Sequence, residues 1–128
     1  EPLSGYLLLA ERLHKEGSAL AGAWNFGPQD GDAKPVHWLV DCLTATWQGG
    51  SVTTNWQLDP WPQLHEAHYL KLDCAKARSQ LGWQPRWSLT EAINRLVAWH
   101  QAQADGADMR ERSIQDLRDY ENSSPLAT

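Results

Sequence analysis

The fold of this chain is decided by residues 65–87, which read HEAHYLKLDCAKARSQLGWQPRW. Tyr69 to Leu72 is typical of an extended segment. Asp73 favours the start of a helix, because its carboxylate accepts backbone N–H groups of the first turn. Gly82 suits the left-handed position after a helix, and Pro85 prevents the helix from continuing. The stretch therefore predicts an extended segment, a short helix and a sharp exit.

A polar loop precedes this extended segment, with His65, Glu66, His68 and Tyr69 as its polar residues. We call residues 65–69 the candidate binding loop, because loops held by rigid elements commonly present side chains to ligands. A solvated loop, with His68 and Tyr69 packed over the following helix, is the open alternative.

The two histidines of the candidate binding loop do not have the spacing of a zinc site. The metalloprotease motif places two His four residues apart on one face of a helix. His65 and His68 are three residues apart in a segment that reads as extended, so their rings should point to opposite sides. We expect no metal here.

Length and composition indicate a soluble globular piece of protein. The 128 residues suffice for one domain, and 41% hydrophobic with 21% charged residues is an ordinary composition. The net charge of −5 argues against nucleic-acid binding, which needs clustered Lys and Arg. No apolar run has the roughly 20 residues of a membrane span. We therefore expect a cytoplasmic location without membrane contact.

The cysteines agree with a cytoplasmic location, and the first residue bears on whether the chain is a fragment. Cys42 and Cys74 lie far apart without C-x-x-C spacing, which favours reduced thiols. The chain begins on a helix at Glu1 rather than with Met, which suggests a fragment of something longer.

Apolar periodicity predicts a mostly helical α/β fold with four or five helices and two or three short strands. Besides the helix after Asp73, helices are expected at residues 2–16, 35–48, from Ser88 to about 104, and at 109–121. Strands are expected at residues 23–26, 52–56 and 69–72. The predicted apolar stripe of the first helix consists of Leu3, Leu7, Ala10 and His14, widened by Leu9 and Leu13. We expect one domain over residues 1–121 and a disordered tail at 122–128.

The opening stretch also resembles the signature of a known family. Its residues follow the pattern D-x-x-K-A-x-x-x-L-G-W-x-P: Asp73, Lys76, Ala77, Leu81, Gly82, Trp83 and Pro85. This is similar to a motif near the C-terminus of extended short-chain dehydrogenase/reductases, the NAD-dependent epimerases and dehydratases that act on nucleotide sugars. Residues 1–11, 23–28 and 65–73 together resemble the dehydratases of this family whose substrate is CDP-glucose, and the similarity reaches about Tyr120.

The resemblance implies that the chain is the C-terminal, substrate-binding lobe of a longer homo-oligomeric enzyme, without its Rossmann core. NAD would be bound by the missing N-terminal domain, and part of the apolar surface here would be an interface with that domain. In the family, the loop at residues 65–69 binds the nucleotide's phosphates and ribose, commonly through an Arg that this sequence replaces with His65. The expected substrate-binding residues are His65, Glu66, His68, Tyr69 and Asn25.

A role in binding has a structural alternative for Asn25 and also for three of the tryptophans. Asn25 resembles the family's Asn-x-Gly near the substrate, but an Asn that caps its own turn explains it as well. Trp24, Trp83 and Trp87 could stack on a base or sugar, although tryptophans at such positions more often pack in a core or a domain interface.

The sequence lacks the residues that catalysis in this family requires. Gly49-Gly50 follows a helix and is no dinucleotide fingerprint. No Tyr is followed four residues later by Lys, the pair to which the resemblance assigns acid–base chemistry. We expect no catalytic and no cofactor-binding residue in this chain. The remaining alternatives are a lobe of another nucleotide-sugar epimerase or dehydratase, a carbohydrate-binding module suggested by the eight Trp, and an oligomerisation domain.

Overall fold

The protein is described here by a computed structural model covering residues 1–47, 56–57, 59–61 and 71–126. Of these residues, 65% lie in helices. The α-helices are α1 (Pro2–Glu16), α2 (Val36–Thr46), α3 (Leu89–Ala104) and α4 (Met109–Asn122). Shorter helical turns lie at Gly17–Leu20, Asp30–Asp32 and Ala77–Leu81. The prediction of a mostly helical fold is confirmed. None of the helices in these ranges is long and apolar enough to cross a membrane.

No strand forms among the described residues, so the strand predicted at residues 23–26 is wrong. That segment does lie beside the residues that follow the candidate binding loop, but side chains make the connection. Asn25 Nδ2 donates to the carbonyl of Asp73 at 3.1 Å, and Lys76 Nζ donates to the carbonyl of Ala23 at 3.0 Å. A strand requires a ladder of backbone hydrogen bonds instead.

The other predicted strands fall largely on residues that the structure does not describe. Of residues 52–56 only Trp56 is described, and of residues 69–72 only Lys71 and Leu72. None of these three has regular secondary structure.

The chain forms two compact units. One, here called the signature unit, contains the described residues within Glu1–Ala33, Lys71–Ser88 and Ser123–Thr128. The other, here called the helical unit, contains those within Lys34–Leu70 and Leu89–Asn122. The domain boundary at residue 121 and the disordered tail stay predictions. In the described part of that tail, the Leu126 N–H donates to the carbonyl of Pro85 at 2.9 Å.

The core of the signature unit is built around Phe26. Phe26, Leu81 and Trp83 are each at most 5% exposed, and Ala77 is completely buried. The Phe26 and Trp83 rings meet edge to face, with centroids 5.1 Å apart and planes at 79°. Such aromatic pairs contribute beyond the apolar area they bury. The half-buried side chains packed around this cluster are those of Leu8, Leu9, Leu20 and Trp24.

α1 does not bury the centre of the predicted stripe, although Leu9, which was expected to widen that stripe, packs against the core. Leu3 and Leu7 are each 73% exposed, and Ala10 and His14 are exposed as well. The buried position of α1 is Gly5, where the missing side chain lets the helix backbone approach Phe26. Periodicity finds apolar residues on several sides of this helix, but it does not register a close approach that depends on a glycine.

We predict that Gly5→Ala destabilises the signature unit. A Cβ at residue 5 would lie 2.2 Å from Cδ1 and 2.5 Å from Cγ of Phe26, a rigid ring that is 5% exposed and packed against Trp83. Overpacking of this kind costs about 1–3 kcal/mol, which exceeds the gain of up to about 1 kcal/mol from replacing a helical glycine with alanine. Urea denaturation followed by circular dichroism measures the difference.

Gly31→Ala is the matched control for this prediction. A Cβ at residue 31 would meet no atom within 4 Å, and its backbone is not left-handed. The urea midpoint of Gly31→Ala should equal that of the unmodified chain within experimental error. A Gly5→Ala chain as stable as Gly31→Ala would contradict the tight packing of α1 on Phe26.

The helical unit is organised around α3, which contacts both α2 and α4. Ile93 and Val97 of α3 are 5% and 2% exposed, whereas Leu96 is 49% exposed. Trp99 Nε1 donates to Ser113 Oγ of α4 at 3.1 Å. α3 thus buries two apolar side chains and makes polar side-chain contacts with α4.

Arg95 provides the main charged link between α3 and α4. Its Nη1 lies 2.5 Å from Asp119 Oδ2, and its Nε donates to Glu91 Oε1 at 2.7 Å. The hydrogen bond from Arg95, and after it the one from Gln115, lowers the pKa of Asp119. Because hydrogen bonds to a carboxylate favour its charged form, Asp119 stays ionised to lower pH in the fold than in the unfolded chain.

We predict that Asp119→Asn lowers stability at neutral pH but not in strong acid. A depressed carboxyl pKa contributes stability above the unfolded value of about 3.9. That contribution disappears as the pH falls through the folded value. The urea midpoint of Asp119→Asn should therefore lie slightly below that of the unmodified chain at pH 7, and the difference should vanish towards pH values of about 2.

Asp105→Asn removes the same charge from a residue whose side chain makes no hydrogen bond or ion pair within the described ranges. Equal losses in the two variants at pH 7 would show that net charge, and not the Arg95 pair, is responsible.

Candidate functional site

Four of the five predicted substrate-binding residues lie outside the described residues: His65, Glu66, His68 and Tyr69. The structure describes the fifth, Asn25, and the chain on either side of the candidate binding loop, at residues 59–61 and from Lys71 onwards. The described neighbours of the loop are therefore the turn at residues 59–61 and the helix that follows Asp73.

The first support is the short helix that follows the loop. The Ala75 N–H donates to Asp73 Oδ1 at 2.8 Å, which confirms the predicted cap. The helix ends in a π-helical turn, and Gly82 adopts the left-handed conformation with φ 68° and ψ 17°. Its N–H donates to the carbonyl of Arg78, and the Trp83 N–H donates to that of Ala77, both at 3.2 Å. The predicted sharp exit is thereby confirmed.

Lys76 fixes this helix against an earlier segment of the chain. Its Nζ donates to the Ala23 carbonyl and stands 4.0 Å above the centre of the Trp24 ring. A cation over an indole face is attracted by the negative face of the ring. The lysine of the family signature thus has a structural role here.

The beginning of α1 binds the exit of the same helix. The carboxylate of Glu1 accepts hydrogen bonds from the backbone N–H groups of Arg86 at 3.0 Å and Trp87 at 2.9 Å. Trp83 Nε1 donates to Ser4 Oγ at 3.0 Å, and Ser4 Oγ donates to the Glu1 carbonyl at 2.7 Å. Two of the separate segments that carried the family resemblance are therefore parts of one hydrogen-bonded structure.

The third of these segments, around Asn25, lies beside Asp73, the residue that caps the helix after the candidate binding loop. The Asn25 amide donates to the Asp73 carbonyl, 48 residues further along the chain. This long-range contact differs from the local turn cap of the structural alternative. Gly27 is buried, and a Cβ there would lie 3.4 Å from Leu72 and Cys74. Asn25 itself is exposed, and its predicted contact with substrate stays a prediction.

The tryptophans considered for stacking are engaged within the signature unit. Trp83 is 4% exposed. Trp24 Nε1 donates to the Leu20 carbonyl at 2.9 Å, and Trp87 Nε1 donates to Ser123 Oγ at 2.9 Å. These contacts favour the packing interpretation.

Sequence reasoning missed an exposed aromatic side chain that shortly precedes the candidate binding loop in the sequence. Trp61 is 75% exposed and lies four residues before His65. Its backbone N–H donates to Asp59 Oδ1 at 3.0 Å, which fixes the turn that carries it. The signal was present in the sequence, because the flanking prolines exclude Trp61 from a regular strand in which it would be covered.

The described residues do not fit a metal or dinucleotide site. No group of three His, Cys, Asp or Glu side chains in these ranges could hold a metal ion. Cys42 and Cys74 are free thiols. Glycines with positive φ in these ranges, among them Gly17, Gly82 and Gly106, lie at the ends of helices or in loops and not between a strand and a helix, where a dinucleotide fingerprint belongs. Within the described ranges, the arrangement fixes the helix that begins after Asp73 and offers no group of metal ligands.

We predict that Asp73→Ala destabilises the signature unit by about 1 kcal/mol, the typical cost of losing an N-cap side chain. The carboxylate that accepts the Ala75 N–H is lost, and because Asp73 is exposed, little buried area is lost with it. Urea denaturation is the measurement.

Asp73→Ser is the control, because a serine oxygen can accept the same hydrogen bond. It should retain most of the stability. Equal destabilisation by alanine and serine would contradict the capping role.

Comparison with known proteins identifies a relative of this chain. No protein-family model matches the chain. The chain is 50% identical over 120 residues to CDP-glucose 4,6-dehydratase of Salmonella typhimurium. The aligned part covers 94% of this chain and 33% of that enzyme, at its C-terminal part. The chain therefore spans about a third of the length of this relative, and the resemblance inferred from the signature is confirmed.

Proposed function

We propose that this chain is the C-terminal part of a nucleotide-sugar dehydratase that converts CDP-glucose to CDP-4-keto-6-deoxyglucose, a step towards deoxysugars. The observation that carries the proposal is the 50% identity to the Salmonella enzyme along nearly the whole chain. The parent protein would be a cytoplasmic lyase and a homo-oligomer. The role of the present residues would be to bind the nucleotide sugar and not to catalyse its reaction.

The structure of the signature unit supports this division of roles. Asp73, Lys76 and Trp83 all contact residues of the same unit, and their hydrogen bonds are used in holding the helix that follows the candidate binding loop. A binding loop works best when a rigid element fixes its ends. The signature is thus a support for residues 65–69, which would be the residues that contact the nucleotide.

The chemistry of the loop side chains suits a nucleoside diphosphate. His65 can donate a hydrogen bond to a phosphate oxygen, with a full positive charge only when its ring is protonated. Glu66 can accept hydrogen bonds from ribose hydroxyl groups. His68, Tyr69 and Asn25 complete the proposed set of contacts.

The redox step of the proposed reaction would depend on the part of the parent outside this chain. NAD would remove a hydride from the sugar and return it after water is lost, so the net change is the loss of one water. The sequence has neither a dinucleotide fingerprint nor a Tyr-x-x-x-Lys pair. No step of the reaction is therefore assigned to a residue of this chain, and the chain alone should be inactive.

Two other classes of function compete with this proposal. A lobe of another nucleotide-sugar epimerase or dehydratase would share the scaffold but prefer a different nucleotide. A carbohydrate-binding or oligomerisation module would not respond to nucleotides. Trp61 supplies the exposed aromatic surface that sugar stacking would need, so the sugar-binding alternative has a specific residue to test.

Calorimetric titration of this chain with CDP, UDP and dTDP is the direct test. We predict weak, CDP-selective binding, because the loop and its support are both present while the other domain is absent. Changing His65 and Glu66 together to Ala should abolish the heat, and Asp73→Ser should preserve it. Equal binding of all three nucleotides, or binding unaffected by the double change, would contradict the assignment of the loop.

A second experiment distinguishes two reasons for weak or absent binding. Either the binding loop is assigned incorrectly, or binding requires the other domain of the parent. An exchange protein, in which this chain replaces the aligned third of the Salmonella enzyme, is assayed for loss of water from CDP-glucose. Activity that disappears with the His65 and Glu66 double change supports the proposal, even if the chain alone binds too weakly to detect. A folded exchange protein that is inactive on CDP-glucose but active on another nucleotide sugar would establish the competing specificity.

A further inference from the structure

Trp61 is the most exposed of the eight tryptophans in the chain. Its side chain is 75% exposed, whereas Trp47 and Trp56, the next most exposed, are 39% and 38% exposed. Covering an aromatic side chain of this size is favourable, because a large apolar area leaves water. An indole displayed in this way is therefore able to bind a flat ring.

Other tryptophans of the helical unit stabilise the unit itself. Trp56 Nε1 donates to Asp41 Oδ1 of α2 at 2.7 Å, and Trp99 Nε1 donates to Ser113 Oγ of α4 at 3.1 Å. Their indole N–H groups are thus used in holding neighbouring segments on the helices. Trp61 differs from both in that most of its side chain faces solvent.

The backbone that carries Trp61 has little conformational freedom. The Trp61 N–H donates to Asp59 Oδ1 at 3.0 Å, which closes a turn of the kind that Asp side chains favour. Pro60 and Pro62 flank the tryptophan in the sequence. Proline fixes its own φ and restricts the residue before it, so Pro62 also limits Trp61. A side chain that is already fixed loses little entropy when it binds a ligand.

Trp61 is tethered closely to the candidate binding loop. Only three residues separate it from His65, where the loop begins. Four residue steps span at most about 14 Å even when the chain is fully extended, so the two Cα atoms lie within that distance of each other. A nucleoside diphosphate is elongated, with its phosphates and its base on opposite sides of the ribose. One such molecule can therefore reach both the loop and the indole.

The ligand of the proposed function has two rings that an indole could cover, the glucose and the pyrimidine base. The glucose has to reach the catalytic residues, which would lie outside this chain because the sequence has no Tyr-x-x-x-Lys pair. The base is the ring that remains. Bases stack well on tryptophan, since both rings are flat and aromatic.

We propose that Trp61 stacks on the pyrimidine base of the nucleotide sugar. The inference rests on the proposed function, because it takes the candidate binding loop as the place where the phosphates bind. Stacking is tolerant of the base, since every base has an aromatic face. Trp61 thus contributes affinity, and other groups select cytosine.

Fluorine NMR tests the stack directly. The chain labelled with fluorotryptophan gives one signal for each tryptophan, and the signal missing from Trp61→Phe identifies Trp61. We expect CDP to shift this signal, because a stacked base places its ring current over the indole, and inorganic pyrophosphate to leave it in place. The signal of Trp47 is the internal reference. CDP that binds in calorimetry without shifting the Trp61 signal overturns the stack and leaves the proposed function intact.

Substitution measures the contribution of the stack. Trp61→Ala should weaken CDP binding about tenfold, a typical effect of losing one base–aromatic contact. Trp61→Phe should keep most of the affinity because it retains a flat ring, whereas Trp61→Leu should lose as much as Trp61→Ala. Trp47→Ala is the matched control and should bind CDP as the unmodified chain does. Unchanged CDP affinity in Trp61→Ala, or equal affinity of the leucine and phenylalanine variants, would contradict stacking.

The exchange protein decides the case in which CDP binds this chain too weakly to measure. There Trp61→Ala should raise the KM for CDP-glucose about tenfold and leave kcat unchanged, as expected when a contact is made equally in the ground state and the transition state. A lower kcat with an unchanged KM would overturn the proposal.

Two other outcomes separate this proposal from the proposed function. A Trp61 signal that moves with glucose but not with CDP would overturn the stack and favour the carbohydrate-binding module. A Trp61 signal that moves with CDP in an exchange protein that has no dehydratase activity would retain the stack and reject the proposed reaction.

Discussion

The close approach of α1 to the ring of Phe26 is the contact on which the signature unit depends. It requires a residue without a side chain at position 5, and it places Ser4 where Trp83 Nε1 can donate to it. Trp83 in turn meets Phe26 edge to face. One glycine therefore fixes the spacing of a helix, an aromatic core and the exit of the helix that follows the candidate binding loop.

The features that could be predicted from sequence are those whose causes are local. Asp73 caps its own helix and Gly82 takes the left-handed conformation after it, so a few neighbouring residues contain the whole reason. The bounds of the long helices follow from apolar spacing and stop signals in the same way. The family signature was recognisable because it consists mostly of such local features.

The features that could not be predicted depend on residues far apart in the chain. Nothing near Asn25 indicates that its amide bonds to Asp73, 48 residues later, or that this side-chain contact takes the place of a strand pair. The apolar spacing of α1 was seen, but which side would face Phe26 depended on the glycine at position 5. The candidate binding loop remains a prediction from resemblance, although the residues that hold its C-terminal end are explained contact by contact.

The hydrogen bonds of Glu1 have a consequence for the topology of the lobe. Glu1 binds the backbone of Arg86 and Trp87, and Leu126 binds the neighbouring carbonyl of Pro85. Glu1 and Leu126 therefore both bind the stretch at residues 85–87, although 124 residues separate them in the chain. Residues 85–87 thus join three stretches that are distant in sequence into one hydrogen-bonded structure within the signature unit.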